Sequence, residues 1–167
     1  MGRDKALVEV DGIPMVLHVV AALRAAGCDP VVVIGGDREA LEGLGLAVVT
    51  DAFPGQGPLG GVITALDHHV AADAVVVAAC DLPHLTEATV RLVIGALHGA
   101  EVVMPRTDRM QPMCAAWRRS VTEPLRSAFL AGERSLQSAV QGLLVVETSV
   151  NPQDLAKAVA KDAEGTA

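Results

Sequence analysis

The segment Ala79-Cys80-Asp81-Leu82-Pro83 sets a carboxylate directly behind an apolar run, Val75-Val76-Val77-Ala78-Ala79. A carboxylate at the carboxyl end of a strand can hold a divalent cation, and Mg²⁺ takes one or two carboxylates together with phosphate oxygens. The same Asp-x-Pro spacing also suits an aspartate that only caps a turn. Asp51 repeats the arrangement behind Leu46-Ala47-Val48-Val49, and after it come Gly55, Gly57, Pro58, Gly60 and Gly61. Glycines at this density let backbone N–H groups approach a ligand closely. A helix opening near Leu59 would aim its positive end into the same cleft.

Other reactive types are present without a pattern. Lys5, in Arg3-Asp4-Lys5, precedes the alternating Ala6-Leu7-Val8-Glu9-Val10, and nothing local separates it from a solvated charge. His68 and His69 are adjacent on an expected helix and so point in different directions, and His18, His84 and His98 are scattered. Cys28, Cys80 and Cys114 are far apart and form no Cys-x-x-Cys pair, which fits small buried residues in a reducing compartment better than a zinc knuckle or a disulfide framework. No Gly-x-Ser-x-Gly elbow or Walker loop occurs, so hydrolase and P-loop chemistry have no support.

The elements that would position these residues alternate. Val31-Val32-Val33-Ile34, ending in Gly35-Gly36, reads as a strand buried on both faces, as does Val75 to Ala79. Leu46 to Val49, Glu101 to Met104, Met113 to Trp117 and Leu143 to Val146 are further strand candidates. Helices are expected over Pro14 to Ala26, Leu59 to Val70, a stretch capped by Thr86, Arg118 to Leu130, and Pro152 to Ala160. Strands alternating with helices imply an α/β fold with a mostly parallel sheet covered on both faces. Ligands bind beyond the carboxyl ends of such strands, which singles out Gly35-Gly36, Thr50-Asp51 and Cys80-Asp81.

At 167 residues the chain fits one domain, expected over residues 1–160, with a frayed tail at residues 161–167. Half of it is apolar and only 2% aromatic, so Val, Leu, Ile and Ala must fill the core. A net charge of −7 argues against nucleic-acid or membrane binding through a broad basic surface. Nucleotide binding stays open, because a metal ion and a few local cations offset phosphate charge. The sequence has no apolar stretch long enough to span a bilayer, and a soluble, cytoplasmic protein is expected.

Taken together, these segments resemble the molybdenum cofactor guanylyltransferases and related small-molecule nucleotidyltransferases. Met1-Gly2-Arg3-Asp4-Lys5 matches the end of that family's opening loop. Asp51 with Pro54-Gly55-Gln56-Gly57-Pro58-Leu59-Gly60-Gly61 matches its Asp followed by Gly-Pro-Leu-Ala-Gly, and Cys80-Asp81-Leu82-Pro83-His84-Leu85 its Cys-Asp-x-Pro-x-Leu. Gln111-Pro112, Trp117-Arg118-Arg119-Ser120 and Ala131-Gly132-Glu133-Arg134 follow in family order. The resemblance implies a Rossmann-like three-layer α/β/α fold of the nucleotide-diphospho-sugar-transferase type. It implies that Lys5 contacts the nucleotide phosphates and that Gly35 and Asp51 help hold the nucleotide. Gly57, Pro58, Leu59, Gly60 and Gly61 would line the guanine side, and Asp81 would bind Mg²⁺ beside the α-phosphate. Gln111, Arg134 and Asn151 would face a molybdopterin substrate. The implied reaction is attack by a pterin phosphate on the α-phosphorus of GTP, with pyrophosphate leaving. A molybdoenzyme or cofactor-delivery protein is the implied partner.

Three departures from the family pattern carry expectations of their own. The family's first strand and glycine-rich loop have no counterpart here, so the strands beside that gap should expose unpaired backbone and apolar surface, and the chain should bind GTP poorly and aggregate. Ile34-Gly35-Gly36 stands where many members carry Asn, which weakens the choice of GTP over CTP. Thr148 to Leu155 does not keep the family's paired asparagines in register. A cytidylyltransferase, or a catalytically inactive nucleotide-binding remnant, are the alternatives.

Overall fold

The computed structural model describes residues 4–157. The expectations for Met1 to Arg3, for a helix continuing to Ala160 and for the tail lie outside the described residues. The chain enters through a 3-10 turn, Lys5–Leu7, and a hairpin of β1 (Glu9–Val10) and β2 (Ile13–Pro14). Asp11 and Gly12 between them both have positive φ, 53° and 75°, as a two-residue Asp-Gly hairpin turn requires. α1 (Met15–Ala25), β3 (Val32–Ile34), α2 (Arg38–Gly43) and β4 (Ala47–Val49) follow. Then come α3 (Pro58–His68), β5 (Ala74–Ala78), α4 (Glu87–Gly95), β6 (Val102–Arg106) and β7 (Cys114–Arg118). α5 (Thr122–Leu130), α6 (Leu136–Ala139) and β8 (Val145–Ser149) complete the regular elements.

Two expected helices are shorter than their sequence patterns. Arg118 belongs to β7, where it pairs with Ala74, so α5 starts only after a 3-10 turn over Arg119–Val121. The segment from Pro152 is a 3-10 turn ending at Leu155, because Ala156 is already extended. Elsewhere the caps act as read: Thr86 accepts a hydrogen bond from Thr89 N at the start of α4, and Gly27 follows α1 with φ 93°.

Besides the β1–β2 hairpin, the strands pair in two groups, β3 with β4 in parallel, and β5-β7-β6-β8. β7 is antiparallel to both β5 and β6, and β8 is parallel to β6, so β5, β6 and β8 share one direction. β3 and β5 also share it. Asp4 hydrogen-bonds to Asp37 just past β3, and its charge acts on Cys80 just past β5. At the other end, Asp29 and Pro30 before β3 line one cavity with Ala72 before β5. Among β3 to β8, β7 alone runs against the rest, and the α/β fold with a mostly parallel strand set holds.

Alternation along β7 sorts side chains to the two faces. Ala115 and Trp117 join the cluster of Leu59, Val62, Ile63 and Leu66 of α3 with Leu125 and Phe129 of α5. Cys114 and Ala116 point the other way, against α1 and α4. This period of two is what a sheet covered by helices on both sides imposes.

No hydrogen-bonded pairing links β3 to β5 among the described residues. Between them lies an apolar cavity of about 540 Å³ whose lining includes Val32, Ile34, Val76 and Ala78 of the two strands. Arg119 N donates to Asp73 O at 3.0 Å and Ala79 N to Met113 O at 2.8 Å, so the odd residues of β5 turn their backbone groups toward β7. By alternation Ala74, Val76 and Ala78 turn theirs toward the cavity. Gly35 N donates to Val49 O at 2.8 Å, which likewise leaves Val32 and Ile34 facing it. Two parallel edges thus look at each other across an apolar slot. Amide hydrogen exchange checks this arrangement: Ile34 and Val76 should exchange on the order of 10- to 100-fold faster than Val33 and Val77, whose N–H groups pair within the sheets. Equal protection at all four positions would contradict it.

Candidate functional site

Three loops converge beyond the carboxyl ends of β3, β4 and β5. At β3, Gly35 and Gly36 take φ values of 70° and 85°. A Cβ on Gly36 would stand 2.8 Å from Asp4 Oδ2 and 2.9 Å from Leu41 Cδ1, so no side chain fits. The space is taken by Asp4, whose carboxylate accepts from Asp37 N at 2.9 Å and from Ala6 N at 3.0 Å. Asp4 therefore pins the turn that carries Lys5 onto the end of β3, and Lys5 itself is exposed.

At β4, Asp51 Oδ1 accepts from Phe53 N at 2.9 Å and lies 3.3 Å from the buried Thr64 hydroxyl. Thr64 Oγ1 also accepts from Ala52 N at 3.2 Å and lies 2.9 Å from Gly60 O. Asp51 thus shapes the loop as well as lining the cavity beside it. Gly57 enters α3 with φ 89°, Pro58 occupies its first turn, and no side chain caps the helix. Leu59 is fully buried in the core, and a Cβ on Gly61 would meet only open space. A helix start with free N–H groups, a proline that needs none and bare glycine is suited to an anionic ligand.

An aromatic brace supports this loop from behind. The Phe53 ring lies 4.6 Å from that of Phe129, and the Arg134 guanidinium sits 3.9 Å over the Phe129 ring. Arg134 donates to Phe129 O at 2.8 Å, Glu133 O at 2.7 Å and Gln56 Oε1 at 3.1 Å. Its backbone oxygen is 3.6 Å from where a Cβ of Gly57 would be. Arg134 is therefore joined to the glycine-rich loop, a contact its sequence position did not disclose.

At β5, Asp81 follows Cys80, which lines the same cavity as Asp51, Gly57 and Gly61. Asp81 Oδ1 is buried with no hydrogen-bond partner, and Oδ2 lies 3.1 Å from Lys157 Nζ. A buried carboxylate oxygen left unpartnered is costly, and a bound cation would satisfy it. Among the described residues no group of three or more His, Cys, Asp or Glu could hold a metal. A lone carboxylate of this kind can hold a hard cation whose other ligands are phosphate oxygens and water.

Gln111 follows β6 and Asn151 follows β8, and neither lines the cavity shared by Asp51, Gly57 and Cys80. Gln111 donates from its side chain to Thr107 Oγ1 at 3.0 Å and from its backbone to Pro105 O at 2.8 Å. Asn151 Oδ1 accepts from Gln153 N at 3.0 Å, capping the turn over Pro152–Leu155. The cysteines remain thiols: burial pushes Cys114 up to about 12, and burial, with Asp4 and Asp81 adding to it, pushes Cys80 up to about 11. His68 and His69 meet edge to face at 4.9 Å, and burial, with the neighbouring His68 adding to it, lowers the pKa of His69. Sequence patterns had not pointed to Asp4, Thr64, Phe53 or Lys157. Each works through a partner distant in sequence or on another element.

Packing makes Gly60 a sensitive position. A Cβ there would come 2.7 Å from Phe53 Cβ, so Gly60→Ala should cost about 1–3 kcal/mol in denaturant unfolding, as overpacking does. A variant as stable as the parent would show that the loop from Asp51 to Gly60 moves freely.

Comparison with known proteins identifies the family and the fold. Residues 1–148 match the MobA-like NTP transferase domain. A molybdenum cofactor guanylyltransferase of Pseudomonas putida is 40% identical over 161 residues, 88% of this chain and 81% of that protein. One from Pseudomonas entomophila is 37% identical over 153 residues, 87% of this chain and 78% of that protein. The crystal structure of molybdopterin-guanine dinucleotide biosynthesis protein A from Archaeoglobus fulgidus superposes with a TM-score of 0.67 at 25% identity, covering 87% of this chain and 74% of that one. A 2-C-methyl-D-erythritol 4-phosphate cytidylyltransferase of Thermus thermophilus, at 18% identity and a TM-score of 0.73, shares the fold over 94% of this chain and 88% of its own. The chain is a nucleotidyltransferase and belongs to the MobA-like NTP transferase family.

Proposed function

We propose that this chain transfers GMP from GTP to molybdopterin, forming the guanine dinucleotide cofactor and releasing pyrophosphate. The observation that carries the reading is Asp81, a carboxylate with one buried, unpartnered oxygen, next to a cavity lined by Asp51 and Gly57 at an uncapped helix start. The names of the Pseudomonas relatives support the acceptor and the nucleotide.

In the proposed reaction a pterin phosphate oxygen attacks the α-phosphorus of GTP. The new P–O bond forms as the bond to the β-phosphate oxygen breaks, and that oxygen leaves with its electron pair on pyrophosphate. When held by Asp81, Mg²⁺ would neutralise charge on the α-phosphate and the departing pyrophosphate. The chain's own part is positioning: N–H groups of Gly60 and Gly61 toward the nucleotide, Asp51 keeping that loop in shape, and Lys5 toward the phosphates. Arg134 braces the loop through Gln56, and Gln111 and Asn151 stand on the acceptor side. We place the whole in one domain over residues 1–160, working in the cytoplasm and passing its product to a molybdoenzyme or a delivery protein. Among the described residues no helix is long and apolar enough to cross a membrane.

The slot between β3 and β5 adds a condition. An extended apolar strand lying there, parallel to both, would pair the open edges and bring its carboxyl end to the phosphate side of the site. With the slot empty, GTP should bind weakly and the chain should self-associate. Tight GTP·Mg²⁺ binding by a well-folded monomer of the 167 residues, measured by calorimetry, would refute this.

Asp81→Ala should abolish Mg²⁺-dependent turnover while leaving the melting temperature close to the parent's. Full activity in that variant would remove Asp81 from the metal role. Gly35 and Gly36 offer the base only backbone, which favours cytidylyl transfer as the second reading. Assayed with each nucleotide in turn, the enzyme should turn over GTP faster, and faster turnover of CTP would move the assignment to that reading.

A further inference from the structure

Residues 150–157 form a strap that ends on the candidate metal carboxylate. Val150 N donates to Arg106 O at 3.2 Å, continuing the β6–β8 pairing past its last rung. Asp154 Oδ2 accepts from two hydroxyls of α4's amino end, Thr86 Oγ1 at 2.7 Å and Thr89 Oγ1 at 2.5 Å. Leu155 is 7% exposed, in a cluster with Leu82, Leu85 and Val90. Two residues later, Lys157 Nζ meets Asp81 Oδ2 at 3.1 Å. The loop Leu82 to Leu85 follows Asp81 directly, so the anchor at Leu155 and the ion pair at Lys157 lie on one loop. The strap thereby brings its lysine back to that loop's first carboxylate.

The two partners of this pair differ. The Asp81 side chain is 21% exposed and that of Lys157 is 59% exposed, and Asp81 Oδ1 has no partner. The carboxylate is the more buried partner and is half satisfied, and the ammonium is open to water. A compact monovalent cation on a flexible stem is a replaceable ligand for a carboxylate.

We propose that Lys157 is the displaceable counter-ion of Asp81, holding the carboxylate while no divalent cation is present and yielding to one, so that the strap sets the metal affinity of the site. The inference rests on the reading of Asp81 as the metal-binding carboxylate. Lys157 acts as a positioning residue and touches no substrate. A divalent cation competes with the Lys157 ammonium for the charge of this carboxylate, and a partly exposed pair of this kind is worth about a two- to fivefold change in an equilibrium constant.

The test is Mn²⁺ binding to the full chain without nucleotide, read from the free-Mn²⁺ electron spin resonance signal. Lys157→Met should bind Mn²⁺ about two- to fivefold more tightly than the parent, and Lys157→Arg, which keeps a cation over Asp81, should stay at or above the parent's dissociation constant. Asp154→Asn, which weakens the strap's anchor at α4, should shift affinity in the same direction as Lys157→Met. Thermal melting of each variant confirms that the fold is kept. Equal affinity in parent and Lys157→Met would overturn the role of Lys157 while leaving Asp81 as a ligand. If Asp81→Asn binds Mn²⁺ as the parent does, the metal reading of Asp81 itself falls, and the inference falls with it.

Discussion

The β3–β4 pair and the four-stranded sheet are held together by helices rather than by strand pairing. α1 spans the join: Val16 and Val20 pack with Val33 and Leu41 on the β3 side, while Val19 and Leu23 pack with Leu82, Leu85 and Val90 on the β5 side. Each of these four α1 side chains is buried and contributes about 1.5–3 kcal/mol on transfer from water. Burial of one amphipathic helix therefore sets the relative placement of Gly35, Asp51 and Asp81. Hydrophobic packing is non-directional and fixes position less sharply than a hydrogen-bonded ladder, so the geometry of the site is tied to how well that join is packed.

Charge is arranged to suit the same end of the molecule. The chain is acidic overall, yet at the strand termini its carboxylates are engaged: Asp4 by two backbone amides, Asp51 by an amide and a hydroxyl, Asp81 by Lys157. An anionic nucleotide approaching this end meets aspartates whose charge is offset locally, beside the positive end of α3. Arg134 gives its guanidinium to a loop side chain, two carbonyl oxygens and an aromatic face. It supports the ligand-facing loop from behind, which accounts for an arginine at that place irrespective of which acceptor the enzyme takes.

The chain spans about four-fifths of the length of the Pseudomonas relatives it matches. The family shares a strand-and-loop scaffold, and similar folds serve different acceptors. The fold therefore does not choose between guanylyl and cytidylyl transfer. That choice lies in the groups that face the base, and Gly35 and Gly36 present only backbone, held in place by Asp4 and Asp51 around them.

By itself the sequence determined the strands β3 to β7 to within a residue or two, and β8 to within three, because continuous apolar runs of this length are buried in a covered sheet. It also determined the caps at Thr86 and Gly27, and it singled out three strand ends as candidates, because a covered parallel sheet offers ligands its carboxyl ends. Tertiary structure decided the rest. The reversed direction of β7 depends on its partners, and the early end of the Pro152 turn on an extended Ala156, neither of which a hydrophobic period encodes. The open edges of β3 and β5 exist only because of what does and does not lie beside them. The union of Lys157 with Asp81, and of Arg134 with Gln56, joins residues 76 and 78 positions apart. Contacts over such distances come from folding the α/β layers onto one another, and no local pattern records them.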